Sequence, residues 1–142
     1  MRLRHVLPAV APVAATLLAA LMVLSGFGTD ADRRAPSSCA VIYRVTDEWS
    51  GGFTSAVTVI NTSDAAINGW ALMWTFPNGQ TPLDVWNGVV SVNGATVTVR
   101  NTSDNASVPP ASTAVFRFTG ATGSRNEQPT GFNLNGRLCT LA

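Results

Sequence analysis

Hydrophobic and polar residues alternate along most of the chain after residue 38. The apolar positions of this period-two pattern are Val41, Tyr43 and Val45; Phe53, Val57 and Val59; Trp70, Leu72, Trp74 and Phe76; Val97 and Val99; Phe116 and Phe118; and Phe132 and Leu134. Such alternation, rich in β-branched and aromatic residues, is typical of half-buried β-strands. No helical period appears after residue 38, so the pattern predicts an all-β domain.

Turn-forming residues separate these segments. They are Ser50-Gly51-Gly52, Asn61-Thr62-Ser63-Asp64, Pro77-Asn78-Gly79, Asn93-Gly94, Pro109-Pro110 and the stretch from Gly120 to Pro129. Asn93-Gly94 between two apolar segments favours a tight hairpin turn. Short strands at this spacing over about 100 residues predict an antiparallel β-sandwich.

The N-terminal segment has a different character. Arg2 and Arg4 precede an uncharged, mostly apolar run from Val6 to Phe27. A basic start followed by an apolar run is typical of a secretory signal peptide. The run is long enough to span a bilayer, but Pro8 and Pro12 interrupt its helical character, so we expect cleavage, with an uncleaved membrane anchor as the alternative. The predicted organisation is a signal peptide at 1–28, a short polar linker at 29–38 and a secreted domain at 39–142.

Charged residues are few within 39–142, where five arginines stand against six carboxylates and lysine is absent. There is no basic stripe, which gives nucleic-acid binding no electrostatic basis. Threonine, serine, asparagine and glycine are abundant instead. A neutral surface rich in hydroxyls and amides suits an uncharged, hydroxylated partner.

Two cysteines, Cys39 and Cys139, stand at the two ends of the predicted domain. In an exported chain an even pair of cysteines predicts a disulfide, and two buried free thiols are the alternative. Histidine is absent from 39–142, and two cysteines alone do not make a zinc site. We therefore expect no metal and no cofactor.

The four tryptophans occupy two kinds of sequence context. Trp70 and Trp74 share the register of the neighbouring apolar residues, which predicts that both are buried in the core. Trp49 and Trp86 lie beside acids and glycines, outside a clean alternation, and this context favours exposure although burial stays open. An indole offers a flat apolar face and one N–H group, which match the apolar face and the hydroxylated rim of a sugar ring.

Eight segments in order resemble the bacterial family 2 carbohydrate-binding modules. They are Cys39-Ala40-Val41-Ile42-Tyr43, Asp47-Glu48-Trp49-Ser50-Gly51-Gly52-Phe53-Thr54, Asn61-Thr62-Ser63, Asn68-Gly69-Trp70-Ala71-Leu72, Phe76-Pro77-Asn78-Gly79-Gln80, Trp86-Asn87, Val97-Thr98-Val99-Arg100-Asn101 and Pro129-Thr130-Gly131-Phe132-Asn133-Leu134-Asn135-Gly136. The resemblance implies a β-sandwich of about nine strands and a disulfide joining its ends. It also implies a flat face of exposed aromatic residues that adsorbs to crystalline cellulose or chitin.

The resemblance assigns candidate carbohydrate-binding residues one by one. Trp49 and Trp86 match the first and second surface tryptophans of the family. Gly52 matches the glycine of the cellulose-binding subtype, where an arginine would indicate the xylan-binding subtype. Asp104 takes the place of the third surface aromatic. Two polar residues near these positions are expected to donate hydrogen bonds to the sugar, and they are Gln80 and Asn87.

These observations predict a secreted, monomeric, non-catalytic module that adsorbs to an insoluble β-linked polysaccharide. Cellulose is the expected partner, with chitin or xylan as alternatives; nucleic acid and, after cleavage of the signal, membrane are not expected partners. One alternative is an extracellular protein- or cell-surface-interaction module that kept the fold and lost sugar binding. Another is a fragment of a modular glycoside hydrolase.

An enzyme is the remaining class to consider. Glycosidases need two carboxylates that face each other across the scissile bond, and the acids near the tryptophans are Asp47, Glu48, Asp84 and Asp104. A planar face without a cleft does not exclude water from a substrate. The lack of histidine in 39–142 also excludes a serine triad with a histidine base, so we expect no catalytic residues.

Overall fold

A computed structural model describes residues 37–142, and the predicted signal peptide and most of the linker lie outside this range. The described residues form strands without helices. The strands are β1 (Cys39–Trp49), β2 (Gly52–Asn61), β3 (Ile67–Asn68), β4 (Ala71–Thr75), β5 (Thr81–Trp86), β6 (Val89–Asn93), β7 (Thr96–Arg100), β8 (Ser107–Val108), β9 (Thr113–Ala121), β10 (Phe132–Leu134), β11 (Arg137–Leu138) and β12 (Thr140–Leu141). None of the described segments is a helix long and apolar enough to cross a membrane.

Two five-stranded sheets make up most of the domain. The first sheet has the order β12-β1-β2-β9-β5, the second sheet has the order β11-β10-β4-β7-β6, and β3 pairs with β8 in a separate short ladder. Every pairing is antiparallel except that of β1 with β12. The predicted antiparallel β-sandwich is confirmed. The described residues form twelve strands and not the expected nine or so. Four of the twelve, β3, β8, β11 and β12, are only two residues long.

The core lies between the two sheets and is mostly aromatic. Phe116 and Phe118 of β9 point inward, where their ring centroids lie 6.2 Å and 5.8 Å from that of Trp74 on β4. Trp70 stacks on Phe116 at 5.8 Å. Both tryptophans are 2% exposed, which confirms the core positions that their register predicts. Full burial of each phenylalanine contributes roughly 1.5–3 kcal/mol.

A disulfide joins Cys39 to Cys139, with 4.8 Å between the Cα atoms. It connects the start of β1 to the residue that precedes β12, and β12 then pairs in parallel with β1. The predicted disulfide is confirmed. It holds the first and last segments of the domain together at one edge of the first sheet.

Candidate functional site

The outer face of the first sheet carries both exposed tryptophans. Trp86 of β5 lies opposite Arg117 of β9. Trp49 of β1 lies opposite Gly52 of β2, and Gly52 lies opposite Ala121 of β9. The phenylalanines of β9 point into the core, so Arg117 and Ala121 point away from it. Because paired residues share a face, Trp49 and Trp86 lie on the same outer face.

A one-residue bulge in β1 turns Trp49 outward. Val45 pairs with Ser55, but the next matched residue of β1 is Asp47, so Thr46 is the extra residue. Val45 points toward the core, and Trp49 is four residues further along the strand. In a regular strand Trp49 would therefore point inward, and the bulge reverses its direction.

A second bulge, in β5, has the same effect on Trp86. Pro82 and Asp84 lie opposite consecutive residues of β9, so Leu83 is the extra residue. Pro82 is buried and Trp86 is four residues after it, so a regular strand would bury Trp86 as well. With the bulges present, Trp49 is 49% exposed and Trp86 is 51% exposed, which confirms the exposure that their sequence context favours.

The indole of Trp49 lies across Gly52. A Cβ atom at position 52 would lie 2.5 Å from Nε1 and 2.7 Å from Cε2 of Trp49. Real Cβ atoms do not approach other atoms so closely, and any side chain at position 52 would displace the ring. The absence of a side chain at Gly52 therefore allows the ring to lie against the sheet with its other face open to solvent.

A polar cavity of about 300 Å³ adjoins Trp49. The segment at 122–126 forms one wall, and Asn126 Nδ2 donates a hydrogen bond of 2.8 Å to Glu48 Oε1. Arg125 in the same segment pairs with Glu127. The polar and glycine-rich composition between Gly120 and Pro129 predicts a turn region, but it does not indicate that this loop lies beside Trp49.

Gln80 has a different role from the one expected. It is 3% exposed, and its Nε2 donates to Glu127 O at 2.9 Å and to Asn126 Oδ1 at 3.2 Å. Its Oε1 accepts a hydrogen bond of 2.8 Å from the Asn78 backbone N–H. Because both donor hydrogens are occupied inside the domain, the expected direct contact of Gln80 with a sugar is not supported. Gln80 instead positions the loop that lines the cavity beside Trp49.

Asn87 and Asp104 lie at the end of the face that carries Trp86. Asn87 follows Trp86 directly and has a φ of 62°, a left-handed conformation that asparagine tolerates. Its carbonyl accepts a hydrogen bond of 2.7 Å from Asn105 Nδ2. This bond holds the turn at 101–106 against the turn after Trp86, and it leaves the neighbouring Asp104 exposed in that turn.

Two aspartates of the face, Asp47 and Asp84, lie on different strands. Asp47 pairs with Thr54, Thr54 with Thr119 and Thr119 with Asp84, so the two aspartates lie in one row with two strands between them. Three strand spacings separate their backbones by about 14 Å. The carboxyl groups of glycosidases are about 5–9.5 Å apart. Among residues 37–142 no cluster of three metal-ligating side chains occurs either.

The fold and the outer face together define a β-sandwich module with a flat aromatic surface. The model of the cellulose binding domain family matches residues 39–139, and this chain belongs to that family, the family 2 carbohydrate-binding modules. A sequence relative is Endoglucanase A of Thermobispora bispora, which is 44% identical over 87 residues; these cover 61% of this chain and 19% of the enzyme. The chain therefore spans about a fifth of the length of that relative.

Two solved structures share both the fold and recognisable sequence. The cellulose-binding family 2 carbohydrate binding domain from ScLPMO10C has 34% identity and a TM-score of 0.56, and the match covers 75% of this chain and 98% of that one. The chitin-binding domain of Chi18aC from Streptomyces coelicolor has 27% identity and a TM-score of 0.59, with coverage of 72% and 94%. These two structural neighbours are named for two different polysaccharides, cellulose and chitin.

Proposed function

We propose that this domain adsorbs to the surface of an insoluble β-linked polysaccharide through the outer face of its first sheet. The observation that carries the proposal is the position of Trp49 and Trp86, both half exposed, on that one face. Exposed indoles provide apolar surfaces on which sugar rings stack. The named relatives, an endoglucanase and a cellulose-binding domain, make cellulose the first candidate, and chitin is the second.

The spacing of the two rings supports a flat ligand. Trp49 is level with Ala121 of β9 and Trp86 is level with Arg117, so the two tryptophans are offset by four residues, or about 13 Å, along the strands. They lie on β1 and β5, which are three strand spacings, or about 14 Å, apart across the sheet. The backbones of Trp49 and Trp86 are thus about 20 Å apart. This separation suits several sugar residues on an extended surface and exceeds what a small ligand in a cleft would need.

The ring orientation at Trp49 favours cellulose or chitin over xylan. Gly52 allows the indole to lie against the sheet, so the exposed surface at this position is planar. A planar ring fits the flat face of a crystalline glycan better than it fits a twisted single chain.

We further propose that the domain is non-catalytic and acts outside the cell. The backbones of Asp47 and Asp84 lie about 14 Å apart on an open face, whereas the carboxyl groups of glycosidases flank the scissile bond about 5–9.5 Å apart. The disulfide between Cys39 and Cys139 is of the kind that persists in oxidising, extracellular compartments. Both features fit a module that holds its ligand without changing it.

Depletion from solution onto microcrystalline cellulose and onto chitin tests the proposal. Trp49→Ala and Trp86→Ala should each lower the partition coefficient at least fivefold, because stacking of one aromatic side chain on a nucleobase contributes about 1–3 kcal/mol and we take the same range for a sugar ring. Their melting temperatures should stay near that of the wild type. Leu138→Ala is the matched control, since Leu138 is 65% exposed but lies on the second sheet. Equal adsorption of all variants would contradict the proposal.

Asp104→Trp adds a gain-of-function arm to the same experiment. The turn at 101–106 is bonded to Asn87 beside Trp86, so an indole at position 104 would add a third ring near the face. The change also removes a carboxylate that a sugar would have to desolvate. Stronger adsorption is expected. If only Asp104→Trp adsorbs and the wild type does not, the domain has lost its glycan ligand and the protein-interaction role replaces sugar binding. If neither form adsorbs to cellulose, chitin or xylan, the sugar-binding function is wrong.

A further inference from the structure

A row of side chains on the outer face contains two arginines beside Trp86. Arg44 of β1 pairs with Ala56 of β2, Ala56 pairs with Arg117 of β9, and Arg117 pairs with Trp86 of β5. The two arginines thus face each other across the small side chain of Ala56, with about 10 Å between their strands. They frame a cavity of about 200 Å³ lined by Ile42, Arg44, Thr46, Ala56, Thr58 and Arg117.

Neither guanidinium is neutralised by a neighbour. The one ion pair within residues 37–142 joins Arg125 to Glu127, and neither Arg44 nor Arg117 makes a side-chain hydrogen bond to another described residue. The nearest acids of this face, Asp47 and Asp84, lie in the adjacent row opposite threonines. Two unpaired cations over a floor of alanine and threonine leave room for an anion between them.

We propose that the cavity between Arg44 and Arg117 binds the carboxylate of an acidic sugar residue, carried by the same polysaccharide that stacks on Trp86. The inference rests on the proposed function and specifies its ligand further. A guanidinium group pairs with a planar carboxylate through two parallel hydrogen bonds. Because Arg117 and Trp86 are direct cross-strand neighbours, one oxidised sugar residue can stack on the indole and reach the guanidinium.

The net charge of the domain distinguishes binding at Arg44 and Arg117 from a general electrostatic attraction between the domain and an anionic glycan. Residues 37–142 carry five arginines and six carboxylates, so the domain as a whole is not cationic. A negatively charged surface should therefore repel it weakly. Preference for a carboxylated glycan would require a local site that overcomes this repulsion.

Adsorption to three celluloses tests the site: unmodified, C6-carboxylated and sulfated, at low and high salt. The wild type should bind the carboxylated form about two- to fivefold more strongly than the unmodified form at low salt, as expected for exposed charge pairs. High salt should remove the difference and leave the stacking component. Arg44→Gln and Arg117→Gln should abolish the preference, measured for each variant as the ratio of its binding to carboxylated and to unmodified cellulose.

Arg100→Gln and Arg137→Gln are the matched controls, because both arginines are exposed on strands of the second sheet. They should keep the preference. Equal binding to all three celluloses, or loss of the preference in the control variants, would overturn the carboxylate site while leaving polysaccharide binding intact. Stronger binding to the sulfated than to the carboxylated form would show attraction to charge density and would also overturn it. Adsorption to none of them would overturn both proposals.

Discussion

Tyr43 is the single tyrosine of the chain and lies in the core with 6% of its surface exposed. Burial raises the pKa of Tyr43 to about 12, and the nearby Ser55 hydroxyl offsets part of that rise. Within the described residues, neither the Tyr43 hydroxyl nor the Ser55 hydroxyl makes a hydrogen bond with acceptable distance and angles. The folded state thus favours the neutral phenol.

Alkaline pH should destabilise the domain through this one residue. Below pH 10 Tyr43 is neutral in both the folded and the unfolded state, so its contribution to the free energy of unfolding is fully present. Between pH 10 and 12 the tyrosine ionises in the unfolded state first, and this contribution is lost. The expected loss is about 2 kcal/mol by pH 12. Lysine is absent from the chain, so no other side-chain type ionises in this window. Urea unfolding between pH 9 and 12, together with absorbance of the tyrosinate, measures both quantities.

Tyr43→Phe is the control for that titration. It should flatten the alkaline pH dependence and change the stability at pH 7 little, because the hydroxyl that it removes has no full hydrogen-bond partner. An unchanged alkaline loss in Tyr43→Phe would show that another process, such as disulfide cleavage, is responsible.

At the scale of the strands, the period-two pattern predicts the core but not the binding face. It identifies Trp70 and Trp74 correctly because Trp74 lies within β4, Trp70 directly precedes that strand, and no bulge interrupts the register of β4. Parity would have placed Trp49 inward, since it is separated from Val45 by four residues. The extra residue Thr46 reverses its direction, and an ordinary threonine carries no sequence signal for a bulge.

The sequence context also does not distinguish buried from exposed side-chain amides. Gln80 and Asn87 are both polar residues near an exposed tryptophan in the sequence, yet Gln80 is buried and Asn87 is exposed. The difference arises because the segment containing Asn126 and Glu127 packs over Gln80. That contact joins residues about 46 positions apart, and local sequence does not encode it.

The β1–β2 hairpin offers a direct test of how the face is built. Gly52→Ala should leave stability nearly unchanged, because the φ of Gly52 is not in the left-handed region and the exposed ring of Trp49 can move aside. Adsorption to cellulose should nevertheless fall several-fold, since the ring would no longer lie against the sheet. Tryptophan fluorescence would report the displaced ring.

Gly131→Ala serves as the control for this change, because a Cβ atom at position 131 meets no atom within 4 Å. It should alter neither adsorption nor fluorescence. If Gly52→Ala adsorbs as well as the wild type, the orientation of the Trp49 ring does not govern binding.

For the whole molecule, removal of the disulfide should lower the stability substantially. Cys39 and Cys139 close a loop with a sequence separation of 100 residues. Cross-linking a loop of that length stabilises a fold by about 4–5 kcal/mol when the effect comes from the entropy of the unfolded chain. The double variant Cys39→Ser, Cys139→Ser should lose a large part of this in urea unfolding.

The same variant should still adsorb to cellulose well below its transition temperature. Trp49 lies at the opposite end of β1 from Cys39, about 33 Å away along an eleven-residue strand. Adsorption therefore measures whether the binding face is intact, and urea unfolding measures the stability that the disulfide contributes. A loss of stability below about 1 kcal/mol would show that the unfolded chain is already compact.

The same cross-link determines how the domain responds to mechanical force. Tension applied between the residues before Cys39 and those after Cys139 passes through the sulfur–sulfur bond, so the sheets between them carry almost none of it. An oxidised domain would extend by only the few residues outside the bridge. Reduction would release the enclosed residues, whose fully extended length is about 350 Å. A domain pulled from both of its ends would therefore act as a short, stiff link while oxidised and as a long, compliant tether once reduced.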